Sequence, residues 1–277
     1  MKVSTLAGSG ADFPRRLTQE TLKIYAVGSG FLAQPCASRS GHLLQAAQLE
    51  VFPMDPEFWK ERWQNQQIGF HEGKPNALLI EFGEKLLPEP SQLAPSVLVP
   101  LCGKAQDLLW LSDCGFEVTG IELVESAAQA FFEENALSFK RENWHGQPSL
   151  VAGKIRIVVA DVFALDALPS GIFDAVYDRA ALVALQPEVR ERYVAELLRW
   201  LKPEARLLIL TFVYDQTSMA GPPFSVSDAQ LLALYDASAH LELLRAQNIL
   251  DQEPRFKERG LTALAEKAWL VKLRAKG

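Results

Sequence analysis

From Met54 onward the apolar positions fall into two alternating patterns, short continuous runs and helically spaced stripes. Asp55-Pro56-Glu57 reads as a helix start, with a capping residue and then Pro at the first helical position. Phe58, Trp59, Arg62 and Trp63 follow at helical spacing, and Leu78, Leu79, Phe82 and Leu86 mark one face of a second helix over 77–87, stopped by Pro88. Short apolar runs then predict strands over 96–100, 117–121, 155–160, 172–177 and 206–213, the last continuously apolar as a central parallel strand is. Between them, stripes predict helices over 105–114, closed by Gly115, and over 126–135, 188–200 and 227–237, the last capped by Ser227. Two further strands, 241–246 and 268–273, complete the pattern, the second as an antiparallel edge partner. The alternation implies α/β: a doubly wound, mostly parallel seven-stranded sheet with helices on both faces.

Residues 1–53 break this rhythm. Gly8, Gly10, Gly28, Gly30 and Gly41, with Pro14, Pro35 and Pro53, interrupt every candidate period, so the stretch reads as a flexible extension preceding a folded domain over 54–277. The run from Ile24 to Ala33 mimics a strand entering a G-x-G-x-x-A turn, but Gln34-Pro35 ends any helix before it begins. Arg15-Arg16 resembles a twin-arginine export signal, yet Gln19, Glu20 and Lys23 stand where an apolar segment belongs. A basic transit peptide and upstream sequence read from an early start codon are the other readings of this stretch.

Composition narrows the function. The 277 residues are 48% apolar with a net charge of −6, which gives no electrostatic footprint for nucleic acid or an anionic membrane. The extension carries five basic and three acidic side chains, so the acidic balance belongs to the folded part. Cys36, Cys102 and Cys114 form no C-x-x-C pair, which argues against a disulfide framework or a structural zinc site, and for a cytoplasmic protein. No His lies at metal-ligand spacing, and a monomer is expected.

Doubly wound sheets bind ligands outside the carboxyl ends of their strands. The residues there are Leu101-Cys102-Gly103-Lys104, Glu122, Asp161, Asp178-Arg179 and Tyr214-Asp215. Glu122 lies nineteen positions after Gly103, the separation at which an acidic side chain accepts from ribose hydroxyls. A helix-start carboxylate is the alternative. The first turn has one glycine, Gly103, where a pyrophosphate requires several, so a nucleoside without phosphates fits better, S-adenosylmethionine among them. Asp161 is either an acceptor for the adenine amino group or a turn cap. Arg179 is either a ligand-facing cation or the structural partner of Asp178, and Trp59 and Trp63 are either ring partners or core residues of an amphipathic helix.

Six segments together resemble the thiopurine S-methyltransferases, and bacterial members in particular. They are Phe58–Trp63 with Gly69-Phe70-His71, Pro100–Ala105, Gly120-Ile121-Glu122, Asp178–Ala184, Gly221-Pro222-Pro223-Phe224 and Pro254–Gly260. The resemblance covers nearly all of the folded part and implies a Rossmann-like methyltransferase fold using S-adenosylmethionine. By position it implies that Trp63, Leu101, Gly103, Glu122, Asp161, Val162 and Arg179 form the cofactor site. The segment from Trp59 to Phe70 would close over it, and Phe70, Arg179 and Arg255 would border the acceptor. Ala180 departs from the glycine expected there in the animal enzymes. No general base is implied, because a thiolate is already a strong nucleophile, and Cys102 reads as a small turn hydrophobe. An aromatic or heterocyclic thiol is the implied acceptor. The alternatives are inorganic chalcogen anions (selenite, tellurite) or small halide and thiocyanate ions, and a non-catalytic nucleoside-binding module. A wide aromatic pocket favours the thiol; a small closed one favours the ions.

Overall fold

The computed structural model describes residues 56–87, 94–235 and 237–275. The extension over 1–53 with its two signal-like motifs, the Asp55 cap and the Pro88 stop lie outside them. The chain opens with helix α1 (Pro56–Gln64) and α2 (Ala77–Phe82), the latter running into a 3-10 turn, Gly83–Leu86. Strand β1 (Ser96–Pro100), α3 (Asp107–Asp113), β2 (Glu117–Glu122) and α4 (Glu125–Glu134) follow. Next come β3 (Lys140–Trp144), β4 (Gln147–Ala152), β5 (Ile155–Val159), β6 (Phe173–Asp178), α5 (Pro187–Trp200) and β7 (Leu201–Val213). The chain closes with α6 (Asp228–Tyr235), β8 (Ala239–Asn248), α7 (Pro254–Glu258) and β9 (Ala265–Leu273).

The strands make one sheet in the order β3-β4-β5-β2-β1-β6-β7-β9-β8. The centre, β5-β2-β1-β6-β7, is parallel, and both flanks are antiparallel. Strand order reverses between β1 and β6, so the crevice of a doubly wound sheet opens there. Side-chain alternation splits the core across the sheet. Leu98, Val176, Leu207 and Ile209 face α5 and α6, packing with Tyr193, Leu197, Trp200 and Tyr235. Val97, Val99, Tyr177 and Leu208 face α2, α3 and α4, packing with Leu79, Leu108, Phe131 and Phe132.

The sheet has nine strands among the described residues rather than the expected seven. The extra pair is the β3–β4 hairpin. Its outer strand begins Lys-Arg-Glu-Asn, all exposed, so it carries no apolar signal. His145 and Gly146, at φ 49° and 85°, form the two-residue turn that matches strand twist, and the charged outer strand discourages edge pairing. Strand β9 is antiparallel to β7 as expected, but it is interior; β8 pairs on its far side and forms the edge. Strand β7 begins directly after α5, five residues before the expected 206, because Leu201 already pairs with Phe173. Ser227 caps α6 through a reciprocal pair: Gln230 N–H donates to Ser227 Oγ at 3.2 Å and Ser227 N–H to Gln230 Oε1 at 3.0 Å.

The helix expected over 77–87 narrows to a 3-10 turn at Gly83. A Cβ there would stand 2.5 Å from the indole of Trp110 on α3, so only glycine permits this approach. We expect Gly83→Ala to destabilise the protein by about 1–3 kcal/mol in urea denaturation. The loss should shrink in a Trp110→Leu background, and an undiminished loss there would place the cause elsewhere.

Candidate active site

The first turn after β1 is folded onto the end of β2. Leu101 and Gly103 have φ of 49° and 53°, and Cys102 N–H donates to Ile121 O at 3.0 Å. The Cys102 thiol sits under the turn because residue 120 is glycine: a Cβ there would lie 2.6 Å from Sγ. Burial, aided by the nearby charge of Glu122, pushes that thiol well up, so it stays protonated and serves as packing.

Glu122 holds the arrangement together. Its Oε2 accepts from Gly103 N–H at 2.8 Å and its Oε1 from Val124 N–H at 2.7 Å, so one carboxylate joins the turns after β1 and β2. Burial pushes its carboxyl up to about 7 against the opposing pull of these N–H groups. The side chain lines the cavity described below.

A cavity of about 880 Å³ lies over the carboxyl ends of the parallel strands. It brings together every residue expected from the sequence to form the site: Trp63 and Phe70 from the α1 segment, Leu101, Gly103 and Glu122, Asp161 and Val162 after β5, Arg179 after β6, and Arg255 on α7. Trp59 and Trp63 are not core residues, for α1 buries no side chain. Both meet Phe70 edge-on, with centroids at 5.9 and 5.7 Å, and form an aromatic wall. Trp63 rests on Gly103, where a Cβ would fall 3.0 Å from the indole. Asp161 is the turn cap, accepting from Phe163 N–H at 2.9 Å, and it also lines the cavity.

Arg179 does not pair with Asp178. That carboxylate is fully buried, accepting from Leu182 N–H at 3.0 Å and from the Tyr193 hydroxyl at 2.8 Å. Arg179 donates instead to Glu72, which also accepts from Asn76 Nδ2. Asn76 N–H donates to Asp107 Oδ1 at 2.7 Å, while Asn76 Oδ1 caps α2 by accepting from Leu78 N–H at 2.9 Å. Burial raises the Asp107 carboxyl to about 6. Glu72, Asn76, Asp107 and Tyr177 were not singled out from the sequence. Only Asn76, a capping residue before Ala-Leu-Leu, and Asp107, an acid in a helix's first turn, leave a local mark.

Arg255 sits over the Phe256 ring at 4.8 Å and reaches Gly69, where a Cβ would stand 3.0 Å from Nη1. Its Nε lies 2.8 Å from Glu253 Oε2, an ion pair without hydrogen-bond alignment. A separate apolar cluster of Tyr214, Met219, Ile249, Leu250, Phe256, Leu261 and Leu264 supports this cap. The Gly221-Pro222-Pro223 loop has two cis peptides, and Pro223 O accepts from the Tyr214 hydroxyl at 2.6 Å. His71, also on the wall, is held below its ordinary value by burial and by Lys104 and Arg179, and is therefore neutral at pH 7.

Residues 54–274 match the family model described as thiopurine S-methyltransferase. The chain is 42% identical over 222 residues to a thiopurine S-methyltransferase of Xanthomonas axonopodis pv. citri, covering 80% of this chain and 100% of that protein. It is 40% identical over 223 residues to one of Nitrosospira multiformis, covering 80% and 99% respectively. Among solved structures, an S-adenosylmethionine-dependent methyltransferase of Methanosarcina mazei shares the fold, with a TM-score of 0.54 at 18% identity over 73% of this chain and 100% of that one. No helix among the described residues is long and apolar enough to cross a membrane.

Glu122 gives the site a pH signature. Its carboxyl moves from an ordinary 4.5 to about 7 on folding, so the folded state keeps a proton that the unfolded chain releases between these values. Its contribution to stability is complete below the lower value and is lost as pH rises through the upper one. Denaturation midpoints measured across this window should fall with rising pH, and Glu122→Gln should flatten the fall. An equally steep fall in the variant would show that Glu122 is not its source.

Proposed function

The chain belongs to the thiopurine S-methyltransferase family and is an S-adenosylmethionine-dependent methyltransferase; on that premise we propose that it methylates the sulfur of an aromatic or heterocyclic thiol. The observation that carries the acceptor class is the breadth of the aromatic side of the cavity. Trp59, Trp63 and Phe70 form one wall, and Phe212 and Phe256 contribute from β7 and α7. A flat ring finds edge and face partners there, whereas a selenite or halide ion has no ring to set against them. The domain that carries this activity, on our reading, is 54–277.

The residues present fit the cofactor. The open backbone at Gly103 and the buried carboxylate of Glu122 beside it suit a ribose diol. Asp161 and Val162 would border the adenine, with Trp63 over the turn and Leu101 beneath. S-adenosylmethionine supplies a methyl group on a sulfonium, an electrophile whose positive charge is neutralised as the methyl leaves. The protein's part is positioning and the exclusion of water. The aromatic wall shields the reacting atoms, which lowers the barrier to collapse of separated charge. Arg179 and Phe70 hold the acceptor ring so that a sulfur lone pair lines up with the carbon–sulfur bond to be broken. A sulfur lone pair forms the new bond, and no side chain need remove a proton from a thiolate. Arg255 closes the acceptor side from α7.

The decisive experiment is a panel of thiols and chalcogen anions assayed with labelled S-adenosylmethionine on the full chain. Methylation of aromatic thiols is expected. Glu122→Ala should weaken cofactor binding, and Arg179→Ala should lower kcat/KM for the thiol, each on the order of tenfold or more. Turnover confined to selenite or tellurite would refute the acceptor class, and wild-type behaviour in both variants would refute the residue roles.

A further inference from the structure

Each of the two arginines bordering the acceptor side already has a glutamate beside it: Glu72 at Arg179 and Glu253 at Arg255. The first pair is a built one. Glu72 accepts from Asn76 Nδ2 at 3.3 and 3.2 Å as well as from Arg179. Asn76 is itself buried and fixed on two sides, by Asp107 below and by the first turn of α2. Glu72 is therefore held against Arg179 by contacts that owe nothing to a ligand. Among the described residues, Glu72 is the hydrogen-bond acceptor that Arg179 meets, and the Arg179 side chain is only 16% exposed. Glu266, on β9, accepts from Gln247 Nε2 at 3.0 Å and lines the same cavity. An anionic substituent entering here meets compensated arginines and fixed like charge rather than free cations, and like charge at close range is how sites reject ligands.

We propose that Glu72 is a specificity-determining residue. Paired with Arg179, it makes the acceptor site favour thiols without an anionic substituent over carboxylate-bearing thiols of the same size. This rests on the reading of the protein as a thiol methyltransferase. The charge on the reacting sulfur is common to both acceptor classes, so the discrimination acts on the substituent alone. An uncharged heterocycle fits beside the Glu72–Arg179 pair without parting it. A carboxylate must either displace Glu72 from Arg179 or stand next to it.

The test compares kcat/KM for para-mercaptobenzamide and para-mercaptobenzoate with the full chain. Wild type should prefer the amide, on the order of tenfold. Glu72→Gln keeps the shape and the contact with Asn76 but removes the charge, and should raise the relative kcat/KM of the carboxylate about tenfold. Glu72→Asp, which keeps the charge, should retain the wild-type order. An unchanged ratio in Glu72→Gln overturns the proposal. Should that variant not fold, the wild-type ratio decides: equal use of both acceptors, or preference for the carboxylate, overturns it. If the wild type methylates no thiol at all, the thiol reading itself fails, a result distinct from turnover with an unaltered ratio.

Discussion

The carboxylate of Glu122 is the contact on which the rest of the site depends. A parallel pair such as β1 and β2 brings two strand ends to the same edge but leaves the turns beyond them free to diverge. One buried side chain accepting from Gly103 and from Val124 removes that freedom. The consequences run outward. The first turn can fold down because Gly120 leaves space for Cys102, and its upper surface is bare because residue 103 has no side chain. Trp63 lies on that bare surface, and Trp63 with Trp59 positions Phe70. Withdrawing a carboxylate from water is costly, and the raised carboxyl of Glu122 records the part of that cost its backbone N–H partners do not offset.

The two halves of the cavity rest on supports of different strength. Its floor is the end of a sheet whose two faces are packed by large continuous cores. Its roof is a helix with no buried side chain and a cap held by a small satellite cluster. Segments with little buried apolar surface open at lower free energy than core strands. The proposed cofactor turn therefore lies on the rigid side and the aromatic wall on the compliant side, with the Glu72–Arg179 pair as a tie between them.

Much of this was legible in the sequence because the central strands are short, apolar and bounded by turn residues, and because the strand ends of such a sheet are where ligands bind. Glu122 could be found by counting from Gly103. The β3–β4 hairpin could not, because Lys140–Asn143 face solvent on both sides and mimic a loop. Nor could the partner of Arg179. Sequence adjacency suggested Asp178, but Asp178 ends β6 and turns inward to Tyr193, while Arg179, just past the strand, reaches Glu72 across 107 positions. The break at Gly83 depends on the indole of Trp110, a contact that helical periodicity does not register. Arg255 was visible only through family resemblance, since α7 is five residues long and too short to show a helical stripe.

Ala180 gives the site one more property. At φ 64° it occupies the left-handed region that a side chain disfavours by about 1 kcal/mol, directly after the arginine that reaches into the cavity. Glycine would adopt that turn without strain, but it would also sample many neighbouring conformations. The alanine methyl removes those alternatives and narrows the directions from which the Arg179 stem departs. What reads as a small backbone penalty is thus also an entropic restraint: the guanidinium swings from a stiff root, and less disorder remains to be lost when any ligand settles against it.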